Sequence, residues 1–388
     1  MMKNVSVIGC GNLGLNCAEV MAEKHTVVGY DVTTKNPSNF LMVNTIKKAV
    51  EGKDIVFIAV PTPHDKDYGG EIPSSNLLPK DFVYDSVIDT LVEINKYSNK
   101  NQLVVLISTV LVGTIRNQLK NYIPNATLVY NPYLIAMDSV KRDMVNPEMI
   151  IIGTEDGTVP QTLIDFYKTL MQNNPRYEIG TWDEAESIKM FYNTFISAKL
   201  SFVNMIQDVA EANGNINVDV VTTALTKSSN MITGPGYMKA GMGAGGACHP
   251  RDNIALRYLA KRLNLGYDLF EIIASSREAQ AEKMAKKCLS FGKQVCIIGK
   301  SFKAKVSETV GSPSMLVGHY VTKHGGFLNY YDPNTGDNEF PEASVYLITY
   351  WDEWIESVVW PQGSVVIDVC RKLQAVPGVN VIHYGNTR

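Results

Sequence analysis

The sequence has no surplus of charge of either sign and no apolar run long enough to cross a bilayer. Its 388 residues carry 36 Lys and Arg against 39 Asp and Glu, a formal net charge of −3 at pH 7. Because there is no basic stripe, nucleic acid is not an expected partner. The N-terminus lacks a signal-peptide pattern, and Val5 to Gly9 already reads as a strand. We therefore expect a cytoplasmic protein with no membrane contact.

Cysteine is scarce and scattered. The six cysteines are Cys10, Cys17, Cys248, Cys288, Cys296 and Cys370, and no CxxC pair occurs among them. Disulfide frameworks and zinc sites require closely spaced cysteines. The sequence therefore predicts no disulfide framework and no bound metal, and it fits a reducing compartment.

A strand, a glycine-rich turn and a helix open the chain. Gly9, Gly11 and Gly14 form a GxGxxG pattern, a helix is predicted over Leu13 to Lys24, and the next strand ends at Asp31. Such glycines allow a tight turn and the close approach of a pyrophosphate to the helix N-terminus. A carboxylate at the end of the second strand accepts hydrogen bonds from ribose hydroxyls and repels a 2′-phosphate. The unit therefore predicts a site for NAD rather than NADP.

Apolar runs of parallel-strand character follow. They cover Asp54 to Val60, Leu103 to Ile107, Leu128 to Tyr130 and Met149 to Ile152, and they alternate with helical segments such as Phe82 to Ile94. This alternation predicts a doubly wound, Rossmann-like α/β sheet. Polar tips follow two of these strands, at Pro61-Thr62 and Ser108-Thr109. Ligands gather at the carboxyl ends of such strands, although each threonine is equally typical of an ordinary turn or cap.

One helical pattern runs from Asp183 to Asn213, after a capping-box pattern at Thr181 to Glu184. Its length favours a helix that spans a domain boundary. Lys189 and Asn193 lie four residues apart on one face, among neighbours that are apolar nearly all round. A lysine on a helix is usually solvated, whereas a buried one needs a partner or a function.

A glycine-rich stretch, GMGAGGACHPRD, runs from Gly241 to Asp252. Pro250 suits the first turn of a helix, so Cys248 is expected just outside a helix N-terminus and Asp252 in its first turn. Backbone dipoles there favour a thiolate. An isolated cysteine is more often an inert packing residue, but the glycine run and the adjacent helix favour a nucleophile.

A second α/β pattern closes the chain. Strands are predicted at Gln294 to Gly299, up to Asp332, at Val345 to Thr349 and at Val365 to Asp368, with a helix from Ser314. We therefore predict an α/β protein with an NAD-binding domain over residues 1–181, a central helix and helical domain over 182–290, and a smaller α/β domain over 291–388.

The motifs resemble, in correct order over nearly the whole chain, those of the UDP-glucose/GDP-mannose dehydrogenase family. They are GCGNLG, VFIAVPTP, STVLVGT, AESIKMFYNTF, GAGGACHPRD, IIGKSFK, YYDP and TYWDEW. The resemblance implies oxidation of C6 of a sugar nucleotide from alcohol to carboxylate with two NAD per turnover. It also implies a homodimer built on the long central helix and a C-terminal domain that binds the sugar nucleotide.

Carried over position by position, the resemblance implies roles for individual residues. The catalytic residues would be Cys248, Lys189, Asn193, Asp252 and Thr109. The NAD-binding residues would be Gly9, Gly11, Asn12, Leu13, Gly14, Asp31, Pro61, Thr62 and Thr109. The sugar nucleotide would be bound by Lys189, Asn193, Tyr237, Gly245, Lys303 and Arg371. Cys248 would form a thiohemiacetal and then a thioester, Lys189 and Asn193 would stabilise the oxyanion, and Asp252 and Thr109 would activate and hold water.

The chain also departs from the family pattern. The family's NPEFLREG is NPYLIAMD here, so Tyr133 and Met137 stand in place of two glutamates and Asp138 is one residue out of position. Val310 stands where the family's DDxRES motif has an arginine, and Arg251 stands where the family has a lysine after the cysteine. A cross-subunit arginine of some members falls near Ile232, and the segment between Asp31 and Asp54 is short.

Three hypotheses follow. The first is four-electron oxidation of UDP-glucose to UDP-glucuronate for polysaccharide synthesis, with a UDP-N-acetylhexosamine or GDP-mannose as the alternative substrate. The second, motivated by the missing glutamates, is an enzyme that stops at the aldehyde or stalls at the thioester. The third is a non-catalytic sugar-nucleotide-binding subunit, and the joint presence of Cys248, Lys189, Asn193 and Asp252 argues against it.

Overall fold

The structure is a computed structural model that describes residues 2–63, 80–135, 139–234, 240–242, 246 and 248–386. Only the backbone is described for Leu200, Asn204, Cys248, His249, Arg251, Asp252 and Ala255. The chain divides into two compact units, residues 1–198 and 199–388. The division falls inside the long central helix, and the division into three domains stays a prediction.

The first unit is an α/β unit. Its strands are β1 (Asn4–Ile8), β2 (Thr26–Tyr30), β3 (Leu41–Met42), β4 (Ile55–Ile58), β5 (Leu103–Leu106), β6 (Thr127–Tyr130), β7 (Met149–Gly153) and β8 (Arg176–Gly180). Its helices are α1 (Asn12–Met21), α2 (Ile46–Val50), α3 (Asp85–Asn95), α4 (Val140–Val145), α5 (Val159–Lys168) and the first half of α6 (Trp182–Asn213). A π-helical turn, Ile115–Leu119, continues as a 3-10 turn, Lys120–Tyr122.

These strands form one sheet in the order β3-β2-β1-β4-β5-β6-β7-β8. All pairings are parallel except β6 with β7, which is antiparallel and joins Tyr130 to Gly153. The first strand, β1, lies inside the sheet; β2 and β3 are added on one side of it, and β4 to β8 are added on the other side. The doubly wound sheet predicted from the apolar runs is confirmed.

Helices cover both faces of this sheet, which explains why its central strands are continuously apolar. All four residues of β4 are buried. Side chains from α1, α4 and α5 pack on one face, among them Met21, Met144 and Phe166. On the other face pack α2, α3 and the turn that begins at Ile115. The carboxyl edge is left for the loops that follow the strands.

The second unit combines helices with a smaller sheet. Its helices are the second half of α6, α7 (Val218–Thr226), α8 (Cys248–Arg262), α9 (Leu269–Leu289) and α10 (Pro313–Lys323). Its strands are β9 (Gln294–Ile298), β10 (Phe327–Tyr331), β11 (Val345–Ile348), β12 (Val365–Asp368) and β13 (Asn380–His383). They form an all-parallel sheet in the order β10-β9-β11-β12-β13. The predicted C-terminal α/β fold is confirmed.

A buried carboxylate connects the loops of this second sheet. Asp332, fully buried, accepts hydrogen bonds from the backbone N–H groups of Lys300 (2.8 Å) and Ser301 (3.0 Å). It also accepts from the Ser301 hydroxyl at 3.0 Å and the Tyr350 hydroxyl at 2.9 Å. The IIGKSFK, YYDP and TYWDEW segments are therefore joined at one residue.

The start of α6 agrees with its sequence signal. Thr181 Oγ1 accepts from the Glu184 N–H at 3.3 Å while Glu184 accepts from the Thr181 N–H at 2.9 Å, which is the predicted capping box. One boundary prediction was wrong: α8 begins at Cys248 itself, so Cys248 is inside the first turn and Asp252 is in the second.

The described residues contain no helix that is both long and apolar enough to span a bilayer. In the same part of the chain, no group of three or more His, Cys, Asp or Glu side chains is arranged to hold a metal ion.

Candidate active site

The turn between β1 and α1 has the shape that a pyrophosphate requires. Gly9 has φ +92°, and a Cβ there would lie 2.7 Å from the Ala59 backbone. A Cβ on Gly14 would lie 2.0 Å from the Gly9 carbonyl oxygen, so α1 packs directly on the turn. At Gly11, by contrast, a Cβ would meet no atom within 4 Å. Gly11 is also the N-cap of α1 and brings no side chain to the first-turn N–H groups, so open space lies beside the positive end of the helix.

Asp31 follows β2, the neighbour of β1 in the sheet. Its Oδ1 accepts hydrogen bonds from the Thr33 N–H at 2.8 Å and the Thr33 hydroxyl at 2.7 Å. Burial acts to raise the pKa of Asp31, but these hydrogen bonds and the charge of Lys35 lower it below the usual value on balance. A carboxylate is therefore held in a fixed rotamer where the ribose of a dinucleotide lies in folds of this kind.

The loops after β4 and β5 contact each other at the same edge. The Thr62 hydroxyl donates to the Thr109 carbonyl oxygen at 2.7 Å, and the Ser108 hydroxyl donates to the Val60 carbonyl oxygen at 2.5 Å. Pro61 is exposed beside them. The glycine turn, Asp31, Thr62 and Thr109 thus lie after four adjacent strands, as predicted from the sequence.

Lys189 reaches the next loop along this edge from α6. Its ammonium donates to the backbone carbonyl oxygen of Tyr133, after β6, at 2.7 Å. Among the described residues no carboxylate lies within ion-pair distance of it, and burial lowers the pKa of Lys189 from its ordinary value. Lys189 is therefore half-buried, with no counter-charge near it in the described part of the chain, which is the second of the two interpretations made from the sequence. Asn193, one turn later, is exposed.

Tyr133, which replaces a family glutamate, points its side chain into the core of the first unit. Its hydroxyl lies 2.9 Å from that of Tyr167, and the Tyr167 hydroxyl in turn donates to Oδ1 of Asn131. Burial above all raises the pKa of Tyr133 well above its ordinary value. The residue therefore supplies a backbone acceptor to Lys189 but no base. Met137 and Asp138 lie outside the described residues.

Sequence reasoning missed a second functional candidate on α6, Glu186. This fully buried carboxylate accepts from the Gly113 N–H at 2.5 Å and from the Ile115 N–H at 2.9 Å. Burial raises its pKa to about 7, although the two hydrogen bonds oppose the shift. The available signal was a glutamate three residues before Lys189 in a mostly apolar helical stretch.

In the second unit, Gly246 of the glycine-rich stretch lies against residues of the C-terminal α/β fold. Gly246 has φ +83°, and a Cβ there would lie 3.2 Å from the Phe302 ring. Gly311 has φ +68°, and its Cβ would lie 2.3 Å from the Gly246 carbonyl oxygen. The close approach explains a glycine at 311, beside the exposed Val310 that stands where the family has an arginine.

Two predicted substrate-binding residues are described in the same unit. Lys303, exposed, extends over the Phe302 ring with its ammonium 5.2 Å from the ring centroid. Arg371 donates to the Ala240 carbonyl oxygen at 2.7 Å, and to the carbonyl oxygens of Val369 at 2.6 Å and Tyr384 at 3.0 Å. The guanidinium thus fixes the chain that leads into the glycine-rich loop.

Tyr237 and Gly245 lie outside the described residues, and only the backbone of Cys248, Arg251 and Asp252 is described. Ile232, which falls near a cross-subunit arginine of some relatives, is exposed. In the first unit the predicted NAD-binding residues and Lys189 thus lie at one edge of the sheet. In the second unit Gly246 lies against Phe302, the neighbour of Lys303, and Arg371 bonds to Ala240.

Comparison with known proteins gives two matches to family models. Residues 32–171 match the NAD binding domain of the UDP-glucose/GDP-mannose dehydrogenase family, and residues 183–279 match the central domain of the same family. UDP-glucose 6-dehydrogenase YwqF of Bacillus subtilis (strain 168) is 26% identical over 83% of this chain and 71% of its own. UDP-glucose 6-dehydrogenase TuaD of the same organism is 26% identical over 89% of this chain and 78% of its own. The UDP-glucose 6-dehydrogenase of Rhizobium meliloti (strain 1021) is 27% identical over 76% of this chain and 67% of its own.

Solved structures agree in fold. A GDP-mannose dehydrogenase from Pseudomonas aeruginosa, in a ternary complex, matches with a TM-score of 0.84 at 22% identity, over 97% of this chain and 99% of that one. A UDP-glucose dehydrogenase from Pyrobaculum islandicum matches with a TM-score of 0.52 at 22% identity, over 99% and 97%. With two domain models of one family matched in order over residues 32–171 and 183–279, the chain belongs to the UDP-glucose/GDP-mannose dehydrogenase family of NAD-dependent oxidoreductases.

Proposed function

We propose that this protein oxidises C6 of UDP-glucose to a carboxylate, giving UDP-glucuronate in two NAD-dependent steps. The observation that carries the chemistry is Lys189, a half-buried cation at the carboxyl edge of the NAD-binding sheet with a lowered pKa. The choice of UDP-glucose is supported by the relatives that match over most of the chain, three of which are UDP-glucose 6-dehydrogenases.

The residues around the glycine turn fit a dinucleotide. Open space at Gly11 and the N-terminus of α1 suit a pyrophosphate, and Asp31 suits the ribose hydroxyls. Bound NAD supplies the hydride acceptor for both oxidations. Thr62 and Thr109 line the same edge and would keep the nicotinamide end of the site polar.

Covalent catalysis falls to Cys248. After the alcohol has lost a hydride and a proton, the Cys248 thiolate adds to the aldehyde carbon and a C–S bond forms. The oxygen becomes an alkoxide, which the ammonium of Lys189 stabilises with the Asn193 amide beside it. Loss of a second hydride from the same carbon gives the thioester. Water then adds, the C–S bond breaks, and the thiolate is restored with the carboxylate as product.

Hydrolysis is the step at which this chain differs from its family. The residue at the glutamate position, Tyr133, directs its hydroxyl to Tyr167 and has a raised pKa, so it does not act as a base at neutral pH. Asp252 would instead activate the water and Thr109 would hold it. The same observation favours a second candidate, an enzyme of this chemistry in which the Cys248 thioester accumulates.

A homodimer through α6 is part of the proposal. Phe191, Phe195 and Phe202 repeat at helical spacing along α6 and are 67%, 56% and 41% exposed. Large apolar side chains clustered on one helix face mark an interaction surface. Among possible occupants, a second copy of α6 fits this face because it presents the same aromatic side chains in return.

The experiment is a substrate panel with product identification. UDP-glucose, a UDP-N-acetylhexosamine and GDP-mannose are offered separately and in competition, and the products are identified by mass spectrometry. We expect UDP-glucuronate and the highest kcat/KM with UDP-glucose. A strong preference for either other nucleotide would retain the chemistry and refute the substrate. A single burst of NADH without turnover would support the thioester-accumulating enzyme.

A further inference from the structure

A carboxylate that the reaction scheme leaves unused is buried at the start of α6. Glu186 has no exposed surface, and both of its oxygens accept backbone N–H groups, Gly113 at 2.5 Å and Ile115 at 2.9 Å. Burying a carboxylate is unfavourable unless it is fully hydrogen-bonded. Because packing alone does not favour a buried carboxylate, its hydrogen bonds to the 113–115 segment indicate a further role for Glu186.

The partner segment is the loop that carries Thr109. It leaves β5, passes Thr109 and Gly113, and enters the helical turn at Ile115. That turn has no side-chain cap of its own, since its N-cap Thr114 makes no capping hydrogen bond. Gly113 has φ +87°, a left-handed conformation that glycine adopts readily, and its N–H donates to the carboxylate. Glu186 therefore supplies from α6 the acceptors that the turn lacks.

The same helix face bonds to the next loop. Lys189, three residues after Glu186 and hence on the same side of α6, donates to the Tyr133 carbonyl oxygen after β6 at 2.7 Å. One turn of helix thus holds the loops that follow two adjacent strands. Because a helix moves as a rigid body, releasing Glu186 would allow the position of Lys189 to shift relative to Thr109.

We propose that Glu186 is a positioning residue, whose ionised carboxylate locks the Thr109 loop to α6 and so fixes Lys189 in its working position. The inference rests on the proposed function, in which Lys189 stabilises the oxyanion and Thr109 holds water. Glu186 touches neither substrate nor cofactor in this account. Its effect is on the geometry of the groups that do.

Ionisation makes the lock dependent on pH. A carboxylate offers two acceptor oxygens, whereas the protonated acid turns one of them into a donor. The charged and titratable groups that face Glu186 are Asp183 on α6, Arg116 on the capped turn and the Tyr130 hydroxyl of β6. Burial raises the pKa of Glu186 to about 7, so both hydrogen bonds are present above that pH and one is lost as the pH falls through it.

The test is Glu186→Gln, which keeps the shape but offers one acceptor oxygen, as the protonated acid does. The matched control is Glu184→Gln, also on α6, whose carboxylate accepts a hydrogen bond from the Thr181 N–H at 2.9 Å within the capping box. The readouts are kcat and KM between pH 5.5 and 8.5, and amide exchange of Gly113 and Ile115 by mass spectrometry. Taking the ratio of wild-type to variant kcat removes the titration of groups common to both.

We expect this ratio for Glu186→Gln to rise from near one below pH 6 to about tenfold at pH 8, the loss of one hydrogen bond to a charged group, with little change in KM. Glu184→Gln should show no such rise. Faster exchange at Gly113 and Ile115 should accompany it. A ratio independent of pH, an equal loss in both variants, or unchanged exchange would each overturn the proposal.

Two further arms keep the result interpretable. If Glu186→Gln fails to fold, Glu186→Asp is tested in its place. This variant keeps the charge but reaches one N–H only, so its kcat should be lower than that of the wild type. Its kcat should still depend on pH, because an ionisable carboxylate remains. A wrong assignment of UDP-glucose as substrate does not affect this test, because the variants are then assayed with the sugar nucleotide that the wild type does oxidise. The exchange measurement needs no substrate.

Discussion

Gly11 allows cofactor binding to be tested separately from folding. The substitution Gly11→Ala adds a methyl group in open space, since a Cβ there meets no atom within 4 Å. The backbone of Gly11, at φ −74° and ψ −161°, is acceptable to alanine. The folded protein should therefore tolerate the change, and restricting the unfolded chain should add roughly 0.4–1 kcal/mol of stability.

Binding of NAD should respond in the opposite direction. The added methyl group occupies the space beside the N-terminus of α1, where the pyrophosphate would accept backbone N–H groups. A hydrogen bond to a charged group contributes about 1.5–3 kcal/mol, so displacement of one such bond weakens binding roughly 10- to 150-fold. The assay is isothermal titration with NAD together with the Tm of the free protein.

Gly157→Ala is the matched control, because its Cβ also meets nothing within 4 Å but lies in the loop before α5. It should leave NAD affinity unchanged and raise Tm slightly, as Gly11→Ala does, because alanine restricts the unfolded chain in the same way. Gly14→Ala is the opposite control: its Cβ would lie 2.0 Å from the Gly9 carbonyl oxygen, so Tm should fall. The reasoning would be refuted by a Gly11→Ala protein that binds NAD as tightly as the wild type, or by one that loses stability as Gly14→Ala does.

Three other substitutions address the remaining parts of the account. Asp31→Asn keeps an acceptor for Thr33 but removes the charge, so the ratio of kcat/KM with NAD to kcat/KM with NADP should fall. A variant that still strictly prefers NAD would contradict the role of Asp31 at the ribose. Asp332→Ala leaves several buried donors without an acceptor and should lower the free energy of unfolding, measured by chemical denaturation, by ~3 kcal/mol or more. Removal of the exposed Glu353 side chain should lower it by less than ~1 kcal/mol. Equal losses in the two variants would contradict a stabilising role for the Asp332 network. Phe195→Arg should shift the protein toward monomer in sedimentation velocity, and an unchanged oligomeric state would exclude this face as the interface.

The sequence was most informative where burial makes a strand continuously apolar or where glycine is required. The runs around β4, β5 and β9 predicted those strands because both faces of each sheet are covered by other layers. Two edge strands, β8 and β13, were missed because they are mostly half-exposed and lack an apolar run. The short α2 was only weakly marked for a similar reason, since five residues give little periodicity.

Side-chain direction could not be obtained from the sequence. Tyr133 was recognised as a departure, but only the fold shows that its hydroxyl reaches Tyr167 while its carbonyl oxygen accepts from Lys189. Glu186 was passed over because its partners, two backbone N–H groups more than 70 residues earlier in the chain, leave no sequence pattern. Contacts between distant segments are set by topology, which local periodicity does not encode.

The central claim is four-electron oxidation through Cys248, and NADH stoichiometry tests it most directly. Wild-type protein and Cys248→Ser are incubated without oxygen with a limiting amount of sugar nucleotide, and NADH and product are both counted. The account predicts two NADH and one carboxylate per sugar for the wild type, and no carboxylate for Cys248→Ser with NAD binding intact. One NADH per sugar, or unchanged carboxylate formation by Cys248→Ser, would contradict it.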